Sequence, residues 1–359
     1  MSFKKFNAKA RAWTFLFGFG ISGICLYLAF RKVDWPVLEN QLFSIDPRSI
    51  ILALVLANLH NFLLAARWYS LIKKFGNINY WSAFWSLRIS FFFNASLPAR
   101  LGEPFRIFYL KRFCNLSAGR ALGAMGADRF LDFITLVILL YVSALVLGMR
   151  GSLPPTKTII FAMMLSSILI FVATKLPKQS KWSLVDRILK FKIRIFEGMK
   201  SLLSWKVLYI AIPISLLGWC VEAASIVGFT YGMGESISIF KAFIVLAAIT
   251  LAISIPSSPG HIGTFQIAAI AVLKYFGLST EAAATVAILY HMSQLLPTLL
   301  IGAFGYHYQF SRKKTYRQHL NEKKAFRSEL RSQQVDLNPY AAQTSLQDSQ
   351  IPSRELSNL

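Results

Sequence analysis

Hydrocarbon admits only backbone whose N–H and C=O groups are paired within the chain, so predominantly apolar runs of about 20 residues restrict a sequence to membrane-spanning helices. This chain has such runs at Ala12–Phe30, Ile50–Ala66, Gly126–Gly148, Thr158–Thr174, Val207–Thr230 and Ala284–Tyr308. Hydrophobic residues make up 55% of its 359 residues and charged ones only 15%, too few to clothe a soluble domain of that size. Two further apolar runs, Trp81–Leu97 and Ile239–Ile255, each end in a proline–glycine break and read as re-entrant. The expected fold is an all-α integral membrane protein with about six transmembrane helices and two re-entrant hairpins in an inverted repeat. A basic N-terminus over 1–11 precedes a first repeat over 12–148, with its re-entrant element near 81–113. A second repeat over 149–309 holds an amphipathic helix near 181–205 and a re-entrant element near 239–277, and a basic, then disordered tail follows over 310–359.

The net charge of +23 raises the question of nucleic acid, and its placement answers it. Lys4, Lys5, Lys9 and Arg11 precede the first span, Arg67, Lys73 and Lys74 follow the second, and Lys175–Lys206 is densely basic. Arg312, Lys313, Lys314 and Arg317 follow the last span, while the intervening loops are poor in base or balanced. That alternation is the positive-inside pattern. It predicts a multi-pass protein of the plasma (inner) membrane with both termini cytoplasmic, and nucleic acid is not expected as a partner. The segment Lys181–Trp205 alternates apolar and basic residues at helical spacing, which suits a helix lying on an anionic leaflet.

Several tempting motifs fail on context. Gly18-Phe-Gly20-Ile-Ser-Gly23 matches a dinucleotide fingerprint but has no strand before it, so close helix packing explains it better. The first apolar run is long and has no small-x-small site before Arg31, so it reads as a retained anchor. Cys25, Cys114 and Cys220 lack metal or disulfide spacing, and His261, His291 and Glu222 follow no ligand pattern. Neither a metal nor a cofactor is expected.

Chemistry concentrates in Asn94–Asp132, where Arg100, Glu103, Arg106, Asp128, Arg129 and Asp132 stand among apolar residues and Pro98, Gly102 and Pro104 interrupt the helix. Charge at mid-bilayer depth costs at least about 3 kcal/mol, so such residues normally face a protein interior or a wet cavity. A second break, Pro256-Ser-Ser-Pro259-Gly260-His261-Ile-Gly263-Thr-Phe-Gln266, repeats the order of an apolar run, a proline and a glycine four residues on. Leu116-Ser117 and Leu278-Ser279 then lead each half into a polar-studded span. With an odd number of crossings per half, the two halves insert in opposite senses, and matched broken segments point to a transporter's binding site.

These residues carry a resemblance. Asn94–Arg106, Gly119-Arg120-Ala121, Asp128–Asp132 and the Pro256–Gln266 motif together resemble the transmembrane region of lysylphosphatidylglycerol synthases, over roughly residues 10–310. His261 and Gln266 depart from the glycine or acidic character expected there. The resemblance implies a flippase-like membrane domain for aminoacylated phospholipid, here expected without the soluble synthase domain of bifunctional members.

Arg100 and Arg106 are the expected ligands of a lipid phosphate, because a guanidinium offers a rigid two-toothed fork and keeps its charge. Glu103 pairs with an arginine or meets a cationic head group, and Asp128, Arg129 and Asp132 are expected to open the third span facing the same cavity. Asn94, His261, Gln266 and His291 are expected to line it, with Gln294 beside them, while Arg88 is expected to snorkel to the interface. Membrane phospholipids are the expected partners, and a lipid-modifying enzyme is a candidate one. The competing readings are a membrane transferase using the carboxylates as bases and a non-catalytic subunit docking through Lys181–Trp205.

Overall fold

The computed structural model describes residues 8–97, 101–149, 193–200, 204–255 and 257–337. The expected span Thr158–Thr174, the residues Pro98, Arg100 and Pro256, and most of the amphipathic segment lie outside these. Regular structure among the described residues is entirely helical. In order they run α1 (Ala8–Phe30), α2 (Trp35–Ser44), α3 (Pro47–Ile72), α4 (Tyr80–Ser96), α5 (Gly102–Phe113), α6 (Ala118–Val146), α7 (Trp205–Gly232), α8 (Ile239–Ala252), α9 (Thr264–Tyr275) and α10 (Thr280–Leu337). Starts follow side-chain caps: Asp46, Asn79 and Ser117 each accept a backbone N–H from the first turn of α3, α4 and α6.

Four stretches are long and apolar enough to cross a bilayer: Pro47–Phe75, Ala118–Val146, Trp205–Gly232 and Thr280–Ser311. With α1, which has 23 residues, they account for five of the expected spans. The chain is a multi-pass membrane protein. Its outer faces bear this out, since Leu52, Val55, Phe133, Ile138, Leu217, Leu296 and Leu300 all stand exposed.

The four helices around the breaks are shorter, at 17 residues for α4, 12 for α5, 14 for α8 and 12 for α9. At about 1.5 Å per residue none reaches the roughly 30 Å of a hydrocarbon core. Each pair folds into a hairpin, α4 on α5 and α8 on α9. The tips of the two hairpins meet: a Cβ placed on Gly260 would lie 3.7 Å from the Ala95 carbonyl oxygen.

Among the described residues, the most extensive helix contact joins α3 to α7. Ser49 lies against Gly232, Ala53 against Gly228 and His60 against Gly218, so the two helices run antiparallel with small residues at the seam. That direction has a topological consequence. The first hairpin leaves from the C-terminal end of α3 and the second from the C-terminal end of α7, so their open ends lie at opposite ends of this pair. Contacts elsewhere exchange in the same way, with α8 packed on α6 and α4 on the glycine face of α10. This is the pairing that an inverted repeat demands.

Three expectations are corrected, and one loop proves to hold a helix. The third span starts at Ala118 rather than Gly126, so Asp128, Arg129 and Asp132 sit three turns inside α6 and not at its opening. Arg67, counted with the charges outside the second span, lies within α3 and is 2% exposed. Arg88 does not snorkel, being 1% exposed at the middle of α4. The loop between the first two spans holds a helix, α2, started by Asp34 accepting from the Val37 N–H.

The chain divides into two compact units, Met1–Gly305 and Tyr306–Leu359. The described part of the second is helical to Leu337, with the Tyr306 and Phe310 rings 4.7 Å apart.

Candidate functional site

Six charged side chains from three helices form one connected network. Arg67 on α3 donates through Nε to Asp128 Oδ1 at 3.0 Å, through Nη1 to an Asp132 oxygen, and through Nη1 to Ser215 Oγ on α7 at 3.1 Å. Arg106 on α5 reaches the other Asp128 oxygen at 3.3 Å, and its guanidinium carbon lies over the Trp68 ring, 3.4 Å from the centroid. Arg129 donates to Glu103 at 2.6 Å and approaches Asp132 at 3.8 Å. The order is Arg106–Asp128–Arg67–Asp132–Arg129–Glu103, three cations and three anions.

Local sequence explains the convergence. Asp128 and Asp132 are one turn apart on α6 and share a face, while Ala121, Ala124 and Ala127 are buried and let neighbouring helices close on it. Gly102 opens α5 directly after the first break, where a Cβ would run into the Ser90 carbonyl and lie 2.6 Å from Asn94 Oδ1. Asn94 Oδ1 accepts the Gly102 N–H at 2.8 Å. Asn94 therefore acts on the backbone of the break, and the close turn brings Arg106 in beneath it.

The second break is secured by a matching device. Gln266 Oε1 accepts the Gly263 N–H at 2.7 Å, which orients its amide NH2 toward His291 Nδ1 at 2.8 Å. His291 Nε2 then carries the proton and donates to the Gly260 carbonyl at 2.9 Å, with the imidazole stacked on Phe265 at 4.2 Å. Gly260 and Gly263 both have positive φ, at 69° and 94°, and a Cβ on Gly263 would strike the Ser22 carbonyl of α1. Ser22 Oγ accepts the Ser258 N–H at 2.9 Å, and Gly18 seats α1 against the Ser257 backbone. Close helix packing, not nucleotide binding, accounts for Gly18.

The structure thus gathers the sequence-derived candidates into two groups. Glu103, Arg106, Asp128, Arg129 and Asp132 join the ion network, whereas Gln266 and His291 hold the second break with His261 beside Ser257 at 3.4 Å. Asn94 serves the first break. Each carboxylate accepts from a guanidinium, while Glu103 Oε2 has no hydrogen-bond partner.

Three side chains of this region were not singled out from sequence: Arg67, Trp68 and Ser215. The signal for Arg67 was the apolar continuation Trp68, Leu71 and Ile72, which carries the helix past it. His60 forms a further polar link across α3 and α7, through Nε2 to Glu222 at 3.2 Å and Nδ1 to the Gly218 carbonyl at 3.0 Å. Between this link and the ion network lies a narrow recess lined by His60, Arg67, Asp132, Ser215 and Trp219.

An all-α, multi-pass membrane protein with paired broken hairpins and a partly buried ion network is the class these features define. Residues 15–302 match the lysylphosphatidylglycerol synthase TM region, and the chain belongs to that family. It is 26% identical over 222 residues to a UPF0104 membrane protein of Methanocaldococcus jannaschii, covering 60% of this chain and 93% of that relative. A second UPF0104 membrane protein of the same organism is 24% identical over 315 residues, covering 80% of this chain and 90% of the relative. One from Methanothermobacter thermautotrophicus is 26% identical over 300 residues, covering 75% and 86%.

Proposed function

We propose that this chain translocates a phospholipid with an anionic or aminoacylated head group across the plasma membrane, with both of its own termini on the cytoplasmic side. One observation carries the reading: a self-neutralising network of six charges sits at the first break with Arg67, Arg106 and Asp128 buried and Arg129 at its exposed end, beside a narrow recess, in a protein that otherwise meets lipid. Asp128 and Asp132 each stand within reach of two arginines. A head group bearing both phosphate and ammonium could therefore exchange partners with the network without leaving a bare charge, which is the condition for passage through a low dielectric. Hairpins opening at opposite ends of the α3–α7 pair supply the two half-paths that alternating access uses. Family membership supports the same substrate class.

Reconstitution tests this directly. Vesicles carrying the protein and a head-group-labelled anionic phospholipid in the inner leaflet should expose that label to an impermeant reductant faster than protein-free vesicles. Rates no higher than those of protein-free vesicles for phosphatidylglycerol, its lysylated form and phosphatidylethanolamine alike would sink the proposal. A changed lipid mass after incubation would instead favour the transferase reading.

A further inference from the structure

We propose that Arg88 is a binding group for the phosphate oxyanion of a phospholipid, an assignment that rests on the chain handling lipid. Arg88 occupies the centre of α4, eight residues from Tyr80 and eight from Ser96, and is 1% exposed. Its Nε, Nη1 and Nη2 have no hydrogen-bond partner. The contrast with its neighbours is sharp, since Arg67, Arg106 and Arg129 each bind a carboxylate. Their network is neutral, so it does not itself demand an anion. Arg88 does.

A guanidinium has five N–H donors and no acceptor, and an uncompensated buried ion costs several kcal/mol. A side chain at such a cost is a site by default in a membrane protein. The surroundings fit a lipid. Phe84, Phe91 and Phe92 lie one turn away on the same side of α4, and α10 closes on it through Gly302, which faces the Arg88 carbonyl and Phe92. Two non-bridging oxygens of a phosphodiester match the guanidinium fork, which an ammonium cannot reproduce, and in phosphatidylglycerol, unlike phosphatidylcholine, no cation of the same head group neutralises them.

The test uses the full chain in zwitterionic nanodiscs, with Arg88→Met and Arg88→Lys as variants. Wild type should retain phosphatidylglycerol over phosphatidylcholine by roughly tenfold or more, as expected for charged hydrogen bonds. Arg88→Met should bring that ratio close to one, while melting higher than wild type without anionic lipid because the bare charge is gone. Phosphatidylglycerol should then raise the melting temperature of wild type and not of Arg88→Met. Should Arg88→Met fail to fold, Arg88→Lys decides: it keeps the charge and should lose most of the preference.

Unchanged preference in the variants would overturn the assignment. So would protection of wild type by inorganic phosphate alone to the same extent, since the ligand would then be a free oxyanion. A wild type that binds phosphatidylglycerol through Arg88 yet moves no lipid would sink transport and leave this site standing. Transport with an indifferent Arg88 would do the reverse.

Discussion

Removing Arg67 isolates the logic of the ion network. Its guanidinium is 2% exposed and joins Asp128, Asp132 and Ser215. In Arg67→Met the network falls to two cations against three anions, leaving one half-buried carboxylate without full compensation and the buried Asp128 with a single partner. Deleting one partner of a buried pair costs about 3–5 kcal/mol, a shift of roughly a hundredfold or more in the unfolding equilibrium. The geometry names the rescue. Once Arg67 is gone, Asp128 retains Arg106 and Glu103 retains Arg129, so Asp132 is the surplus anion. Arg67→Met/Asp132→Asn leaves two closed pairs and should recover at least about 2 kcal/mol of the loss, a coupling well above the few tenths expected of independent sites. Reversible unfolding of the purified protein by SDS titration measures all three. A double variant no more stable than Arg67→Met would refute the reasoning, and a stable double variant that fails to move lipid would separate the network's stabilising role from its transport role.

Other consequences follow from the breaks and the seam. Gly263→Ala should cost at least about 2 kcal/mol, because Gly263 combines φ of 94° with the Ser22 carbonyl in its path; Gly20→Ala, with open space around it, should stay within about 0.5 kcal/mol. Gln266→Ala should lose about 1–3 kcal/mol by orphaning the Gly263 N–H and the His291 ring nitrogen. Because His291 acts through the same chain, Gln266→Ala/His291→Ala should cost less than the two separate losses combined. Ala53→Cys/Gly228→Cys should oxidise readily to a disulfide in a background lacking Cys25, Cys114 and Cys220, since a Cβ on Gly228 lies 3.5 Å from that of Ala53; failure to cross-link would contradict the α3–α7 register.

The breaks were legible because backbone chemistry is written locally: Gly102, Pro259, Gly260 and Gly263 act where they stand. The charges of α5 and α6 were legible because nothing apolar tolerates them unpaired. Arg67 was not, since an arginine after Ala65-Ala66 looks the same whether it meets headgroups or Asp128 sixty-one positions away. The start of α6 was obscured by Gly119, Gly123 and Gly126, whose small size reads as loop. In the fold Gly123 is instead a contact surface, pressed against the Ile195 carbonyl and Gly198, with Arg120 pairing Glu197 at 2.7 Å beside it. Gln266 and His291 were marked as lining for a substrate, and only the hydrogen-bond pattern reveals their hold on the Gly260–Gly263 turn. Conserving charge and breaking helices are local signals. Who meets whom is not.

Sided cysteine labelling is the most direct test of two hairpins entering from opposite faces and meeting at their tips. Single cysteines at Asn79, where the first hairpin opens, and at Ser238, where the second opens, should react with an impermeant maleimide from opposite sides of oriented membrane vesicles. Labelling of both from the same side would contradict the account.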